Sequence, residues 1–211
     1  MFSTSYFINL LLSLPGILVA ISFHEMAHGY AADAMGDPTP KLAGRLTVNP
    51  LKHIDPIGFI SMLLFRFGWA KPVPVNPNNF KNHRKGIIVV SLAGCFTNLL
   101  LGFISLIAIY AVSPFANVYL LQILQYLYLY NLMFAVFNLI PIPPLDGSQI
   151  LAEFFPYNAK QKFYQFSRYG MIILLLLVVF NVFGLIITPI INGIDGLFRM
   201  ILNPLFLMLW S

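Results

Sequence analysis

Five stretches of this chain are apolar over lengths that only a membrane readily accommodates: residues 6–35, 86–112, 118–140, 169–187 and, more weakly, 197–210. The hydrocarbon core of a bilayer takes about 20 helical residues per crossing. Backbone that crosses it must satisfy its own N–H and C=O groups. The expected fold is therefore all-α and polytopic: four to five transmembrane helices forming one membrane-embedded domain over residues 1–211. Composition agrees, because 59% hydrophobic residues, 9% charged residues and a mean hydropathy of +0.81 exceed what a soluble domain of this length can bury. The fifth run is short and contains Pro204, so it is expected to lie in the interface or pack re-entrantly. No Lys or Arg precedes the first run, which argues against a cleavable signal. The one cysteine, Cys95, permits no internal disulfide.

A net charge of +5 would suit nucleic acid, but the basic residues lie in loops between apolar spans and read as topology instead. The loop at 36–85 holds eight of the twelve: Lys41, Arg45, Lys52, Arg66, Lys71, Lys81, Arg84 and Lys85. By the positive-inside tendency it is cytoplasmic, as is the later connection with Lys160, Lys162 and Arg168, leaving Arg199 on the far side. The C-terminal ends of the first and third spans then share the cytoplasmic side. Within the long loop, residues 57–67 are apolar but too short to span, while Trp69 and Val73-Pro74-Val75 suggest extended chain. A re-entrant hairpin or membrane-edge β-ribbon is one expectation; an amphipathic loop covering the bundle is the other.

Near the end of the first apolar run stand His24, Glu25 and His28, an H-E-x-x-H pattern. Positions i and i+4 share a helix face, so two imidazoles can present to one zinc ion with the glutamate beside them as general base. The competing reading is a pair of core histidines with Glu25 held by a basic side chain. Three ionisable groups at membrane depth would then be costly without an ion or a water-filled cavity. A catalytic zinc site usually takes three protein ligands. Of the seven carboxylates, Asp146 stands out, just after Pro141, Pro143 and Pro144, where a helix is broken at the cytoplasmic end of the third span. Alternatively, Asp146 is the N-cap of a helix at 147–155.

The runs HEMAHGYAADAMGD and NLIPIPPLDGS, with HIDPIG and AKPVPVNP between them, resemble the site-two protease family of intramembrane zinc metalloproteases, in its small form without a PDZ domain. The resemblance implies Zn2+ held by His24, His28 and Asp146, with Glu25 activating water. The segment Gly94-Cys95-Phe96-Thr97-Asn98 is similar to the family's G-x-x-x-N pattern, with Cys95 where relatives often carry proline. Asn98 is thus a candidate catalytic residue that holds a substrate strand or an oxyanion, or else a packing residue. His53 and Asp55 are expected to shape their loop, and His83 is assigned no role.

The implied function is hydrolysis of membrane-spanning proteins or peptides near the cytoplasmic side of a bacterial inner membrane, with the lipid bilayer as the other partner and no nucleic acid. A membrane metal-binding or transport protein, a non-catalytic scaffold for membrane helices, and an enzyme acting on a lipid or prenylated peptide are the alternatives.

Overall fold

The computed structural model describes residues 4–65 and 68–210, and among these every regular element is helical. α1 (Thr4–Met35) leads into a long loop holding α2 (Thr39–Leu42), α3 (Pro50–His53), α4 (Pro56–Phe65) and a 3-10 turn at Pro77–Asn79. α5 (His83–Val112) and α6 (Val118–Asn138) follow as a hairpin, and α7 (Asp146–Ala152) opens the next connection. α8 (Tyr157–Phe166), a 3-10 turn at Ser167–Tyr169 and α9 (Gly170–Val179) lead to α10 (Val182–Trp210). Five segments are long and apolar enough to cross a membrane: Thr4–Met35, His83–Val112, Val118–Asn138, Tyr157–Val179 and Gly184–Phe206. The protein is an integral membrane protein, and exposed side chains such as Leu11, Phe96, Leu100, Ile104 and Leu185 suit lipid rather than water.

α1, α5 and α6 pack on one another as the centre of the bundle. Small residues set their spacing. A Cβ on Gly16 of α1 would lie 2.9 Å from backbone atoms of Tyr126 and Leu127 in α6, so the two backbones meet closely there. The helix starts are capped by asparagine: Asn82 and Asn117 accept from the N–H groups of Lys85 and Leu120, each at 2.9 Å.

The contacts of α10 fix its direction. Ile187 joins a cluster with Val136 and Leu145 near the end of α6. Further on, Asp195 accepts a hydrogen bond from the Tyr128 hydroxyl at 2.7 Å, and Asn203 accepts one from Tyr110 near the end of α5. α10 therefore runs antiparallel to α6 and parallel to α5, beginning at the end of the bundle where α6 finishes and α7 starts. The segment Tyr157–Val179 starts and finishes at that same end, so α1, α5, α6 and α10 are the helices that traverse the bundle.

This corrects the expected fourth and fifth spans. The apolar run at 169–187 is broken at Phe180 and Asn181, where Asn181 adopts φ 53°, a left-handed conformation that asparagine tolerates better than most residues. The run at 197–210 is the second half of α10, which continues through Pro189 and Pro204. In hydrocarbon, leaving the helix would orphan more backbone groups than the missing proline N–H does. Arg199 sits within this helix, its Nε donating to both carboxylate oxygens of Asp195 at 2.8 and 2.9 Å. In the long loop, α4 is helical to Phe65, while Arg66 and Phe67 lie outside the described residues. The expected β character is limited to one antiparallel bridge, Ile54 with Ala70; no strand occurs among the described residues.

Candidate metal centre

α1 places His24 and His28 one turn apart, and the connection after α6 brings Asp146 to them from 122 residues away. The two Nε2 atoms are 2.9 Å apart, and Asp146 Oδ2 lies 3.1 Å from His24 Nε2 and 3.2 Å from His28 Nε2. Both histidines are buried. Asp146 is in the first turn of α7, and Leu145 occupies the N-cap position, so the reading of Asp146 as a cap is corrected. The turn depends on Gly147, where a Cβ would collide with the Leu139 carbonyl.

Hydrogen bonds on the far side of each ring settle the tautomers. His24 Nδ1 meets Asn98 Oδ1 at 2.7 Å, and His28 Nδ1 meets the Val90 carbonyl at 2.8 Å. Both partners are acceptors, so each Nδ1 carries a proton, and each ring in its neutral form turns a bare Nε2 lone pair inward. In that form two lone pairs and a carboxylate oxygen converge with no donor among them. Such an arrangement repels itself unless a cation lies between. A tetrahedral ion with bonds of about 2.0–2.1 Å separates its ligand atoms by about 3.3 Å, close to the spacing found here. The donor set, two imidazoles and one carboxylate, is that of a catalytic zinc site with one position left for water.

Asn98 is fully buried, and its amide is fully engaged. Its Nδ2 donates to the Ala20 carbonyl at 3.0 Å and to Asn131 Oδ1 at 2.9 Å. Asn131, also fully buried, donates to the Leu127 carbonyl at 2.8 Å. A chain of amides thus runs from α6 through α5 to His24 on α1. Gly94 brings the backbone of α5 against both rings: a Cβ there would lie 2.6 Å from His24 Cε1 and 2.7 Å from His28 Cε1. Cys95 follows, its Sγ 3.9 Å from Asp146 Oδ2.

Glu25, next to His24, accepts a hydrogen bond from the Val73 N–H at 2.7 Å. His53 and Asp55 lie away from the ligands. His53 Nε2 donates to the Thr47 carbonyl at 2.7 Å, and Asp55 accepts from the Gly58 N–H at 2.8 Å at the start of α4. Asp37, fully buried just past α1, accepts from Thr39, from the Asn76 N–H and from Asn79. Burial alone would raise its pKa, but these donors outweigh it and hold the carboxyl below the usual range. Asn131, Asp37, Arg45 and the Val90 carbonyl escape sequence reasoning. The first three are polar residues whose burial is visible only in three dimensions, and a backbone carbonyl leaves no trace in residue type.

Comparison with known proteins agrees with this chemistry. The family model described as Peptidase family M50 matches residues 105–180. "Putative zinc metalloprotease YwhC" of Bacillus subtilis (strain 168) is 38% identical over 200 residues, covering 90% of this chain and 91% of that protein. "Putative zinc metalloprotease Rip2" of Mycolicibacterium smegmatis is 28% identical over 194 residues, covering 89% of this chain and 71% of its own length. No solved structure matches. With two histidines and an aspartate arranged for zinc in a membrane bundle, and a relative alike from end to end, the chain belongs to peptidase family M50, the site-two protease family of zinc metalloproteases.

Proposed function

We propose that this protein is an intramembrane endopeptidase that cuts membrane-spanning proteins or peptides near the cytoplasmic side of a bacterial inner membrane. The observation that carries the reading is the convergence of His24 Nε2, His28 Nε2 and Asp146 Oδ2 beside the Glu25 carboxylate, inside a bundle of apolar helices. Zinc, when bound by these three residues, supplies Lewis acidity and lowers the pKa of a water toward about 7. Glu25 takes the proton of that water and returns it to the departing amide nitrogen. Asn98 orients His24; the oxyanion role expected from its motif would require it to release Ala20 or Asn131.

A membrane helix hides its peptide bonds, so a substrate unwinds locally before attack, most readily where it holds Gly or Pro. The non-helical residues 70–76 and the Ile54–Ala70 bridge support a β-like edge able to receive such a strand. The cytoplasmic assignment is supported by the basic loop between α1 and α5, which lies at the same end of the bundle as the site.

The test is the full chain reconstituted in lipid with transmembrane peptides, measuring bound zinc and cleavage together. Glu25→Gln is expected to keep zinc and lose cleavage, and Asp146→Ala to lose zinc. Cleavage that survives Glu25→Gln rejects the mechanism, and zinc binding by wild type without any cleavage favours metal transport.

A further inference from the structure

Glu25 is oriented by a residue far away in sequence. Its Oε2 accepts from the N–H of Val73, whose neighbours Pro72 and Pro74 have no N–H to offer. Val73 is buried against α1: a Cβ on Gly29, the residue after His28, would lie 3.6 Å from its Cγ1. The stretch is held at both ends. At Lys71, the N–H donates to the His53 carbonyl at 2.9 Å and the carbonyl accepts from Arg45 Nη2 at 2.6 Å. At Asn76, the N–H donates to Asp37 Oδ2 at 2.7 Å, and Asn79 Nδ2 donates to Asp37 Oδ1, also at 2.7 Å.

The two anchors are chemically unusual. Arg45 is 6% exposed and makes no ion pair with a carboxylate among the described residues. Asp37 is fully buried, and its partners among the described residues are all neutral donors. A lone buried guanidinium and a lone buried carboxylate are costly to desolvate, so stability alone does not account for them. Both fasten the same six residues, and those residues carry the donor to Glu25.

We propose that residues 71–76 form a strap that positions the general base, with the Val73 N–H as its contact and Arg45 and Asp37 as positioning residues at its two ends. The proposal rests on Glu25 as the base and deepens that reading. With Oε2 held by Val73, rotation of the carboxylate is restrained and Oε1 is the oxygen that meets the water. His53 joins the device through its carbonyl on Lys71.

Two measurements on the full chain in lipid test it. The strap has four N–H groups, on Lys71, Val73, Val75 and Asn76, and the structure bonds those of Lys71, Val73 and Asn76. In hydrogen exchange, Glu25→Ala is expected to speed exchange at Val73 roughly 5- to 10-fold and to leave Lys71 slow. In kinetics, Arg45→Met and Asp37→Asn are expected to lower kcat about 10- to 100-fold with bound zinc unchanged, and Arg45→Lys, which keeps a donor for Lys71, to recover most of the loss. Unchanged strap exchange in Glu25→Ala overturns the proposal, as does an unchanged kcat in Arg45→Met and Asp37→Asn or a loss that appears in zinc content instead of kcat. The exchange result does not depend on cleavage, whereas the general-base reading stands or falls on Glu25→Gln, so each can fail separately.

Discussion

Replacing Asn131 by leucine tests whether the amide chain behind His24 holds the metal site together. The hydrogen bonds of Asn131 go to Asn98 and Leu127, not to the candidate ligands. It accepts from Asn98 Nδ2 at 2.9 Å and is fixed in that sense by its own bond to the Leu127 carbonyl. Two acceptors, Asn131 Oδ1 and the Ala20 carbonyl, keep Asn98 Nδ2 on their side and so leave Asn98 Oδ1 facing His24 Nδ1. Were the Asn98 amide to turn over, Nδ2 would oppose the Nδ1 proton and drive it to Nε2, where it blocks the ligand position. Asn131→Leu strands one buried N–H of Asn98, at about 1–3 kcal/mol. Transmitted to the ligand, that is expected to weaken zinc about 10-fold, the lower end of what loss of an outer hydrogen-bond partner costs. Asn131→Asp is the control. At a fully buried position the acid stays protonated, and its carbonyl and hydroxyl reproduce both bonds. Zinc affinity, measured by competition with a chelator in detergent or lipid, is expected to fall for leucine and recover for aspartic acid. Wild-type affinity in a folded Asn131→Leu protein refutes the orienting chain.

Other outcomes follow from the same geometry. Gly94→Ala is expected to lower zinc affinity by at least about 10-fold, because the new methyl would sit 2.6 to 2.7 Å from both rings, whereas Gly193→Ala, with nothing within 4 Å, leaves it unchanged. Chelation is expected to stop cleavage and lower the unfolding temperature, since zinc at a thousand times its Kd contributes about 4 kcal/mol. The carboxyl of Asp37 titrates below its ordinary 3.8, so its stabilisation of the strap is complete above that value and is lost as pH falls through the lower folded value; Asp37→Asn should remove that acid-dependent loosening in hydrogen exchange. In a Cys95→Ser background, cysteines at Lys162 and Phe180 are expected to react with impermeant reagent from one side and a cysteine at Phe115 from the other; opposite labelling of Lys162 and Phe180 refutes the four-helix crossing.

The sequence spells out the candidate ligands more fully than the bundle. His24, Glu25 and His28 are one turn of an uninterrupted helix, so their spacing translates directly into shared placement. Pro141, Pro143 and Pro144 similarly announce the break that lets Asp146 point inward. Spans one to three are legible because each is bounded by polar or basic residues. The fourth fails because hydropathy measures lipid compatibility and is indifferent to direction: the run at 169–187 is equally apolar on both sides of Asn181, and only the pairing of Ile187, Asp195 and Asn203 along α6 and α5 shows that the chain turns there. Pro204 misleads for a related reason, since helix breaking is weighed against water, and α10 has none to turn to. The extended course of residues 71–76 is legible in Val73-Pro74-Val75, but their tie to Glu25 is not, because the anchors, Arg45 and Asp37, look like ordinary loop charges until burial is known.

The division of labour between rigid and irregular chain follows from the chemistry. Three electron-rich atoms, two imidazole nitrogens and a carboxylate oxygen, must be held near one another against their own repulsion to accept an ion, which requires stiff supports. α1 gives two of them, and α5 braces both through Gly94, Asn98 and the Val90 carbonyl. Hydrolysis adds the opposite demand, for water and for a peptide strand whose own helix has opened. Closed helix offers neither a bare N–H nor a bare carbonyl, so that demand must be met where backbone is irregular, and irregular backbone survives at membrane depth only when buried in protein or lining a cavity. Both irregular segments at the site obey this rule. Residues 139–145 are closed by the Ile142 N–H on Ile140 and the Leu145 N–H on Ile142, at 2.8 and 3.0 Å, and the strap is closed by His53, Glu25 and Asp37. Of the four strap N–H groups only that of Val75 makes no bond among the described residues, which makes it the backbone donor with capacity to spare for an incoming strand. Methylation of that nitrogen by semisynthesis is expected to raise KM for a transmembrane peptide while leaving bound zinc unchanged, and an unaltered KM would show that substrate is gripped elsewhere.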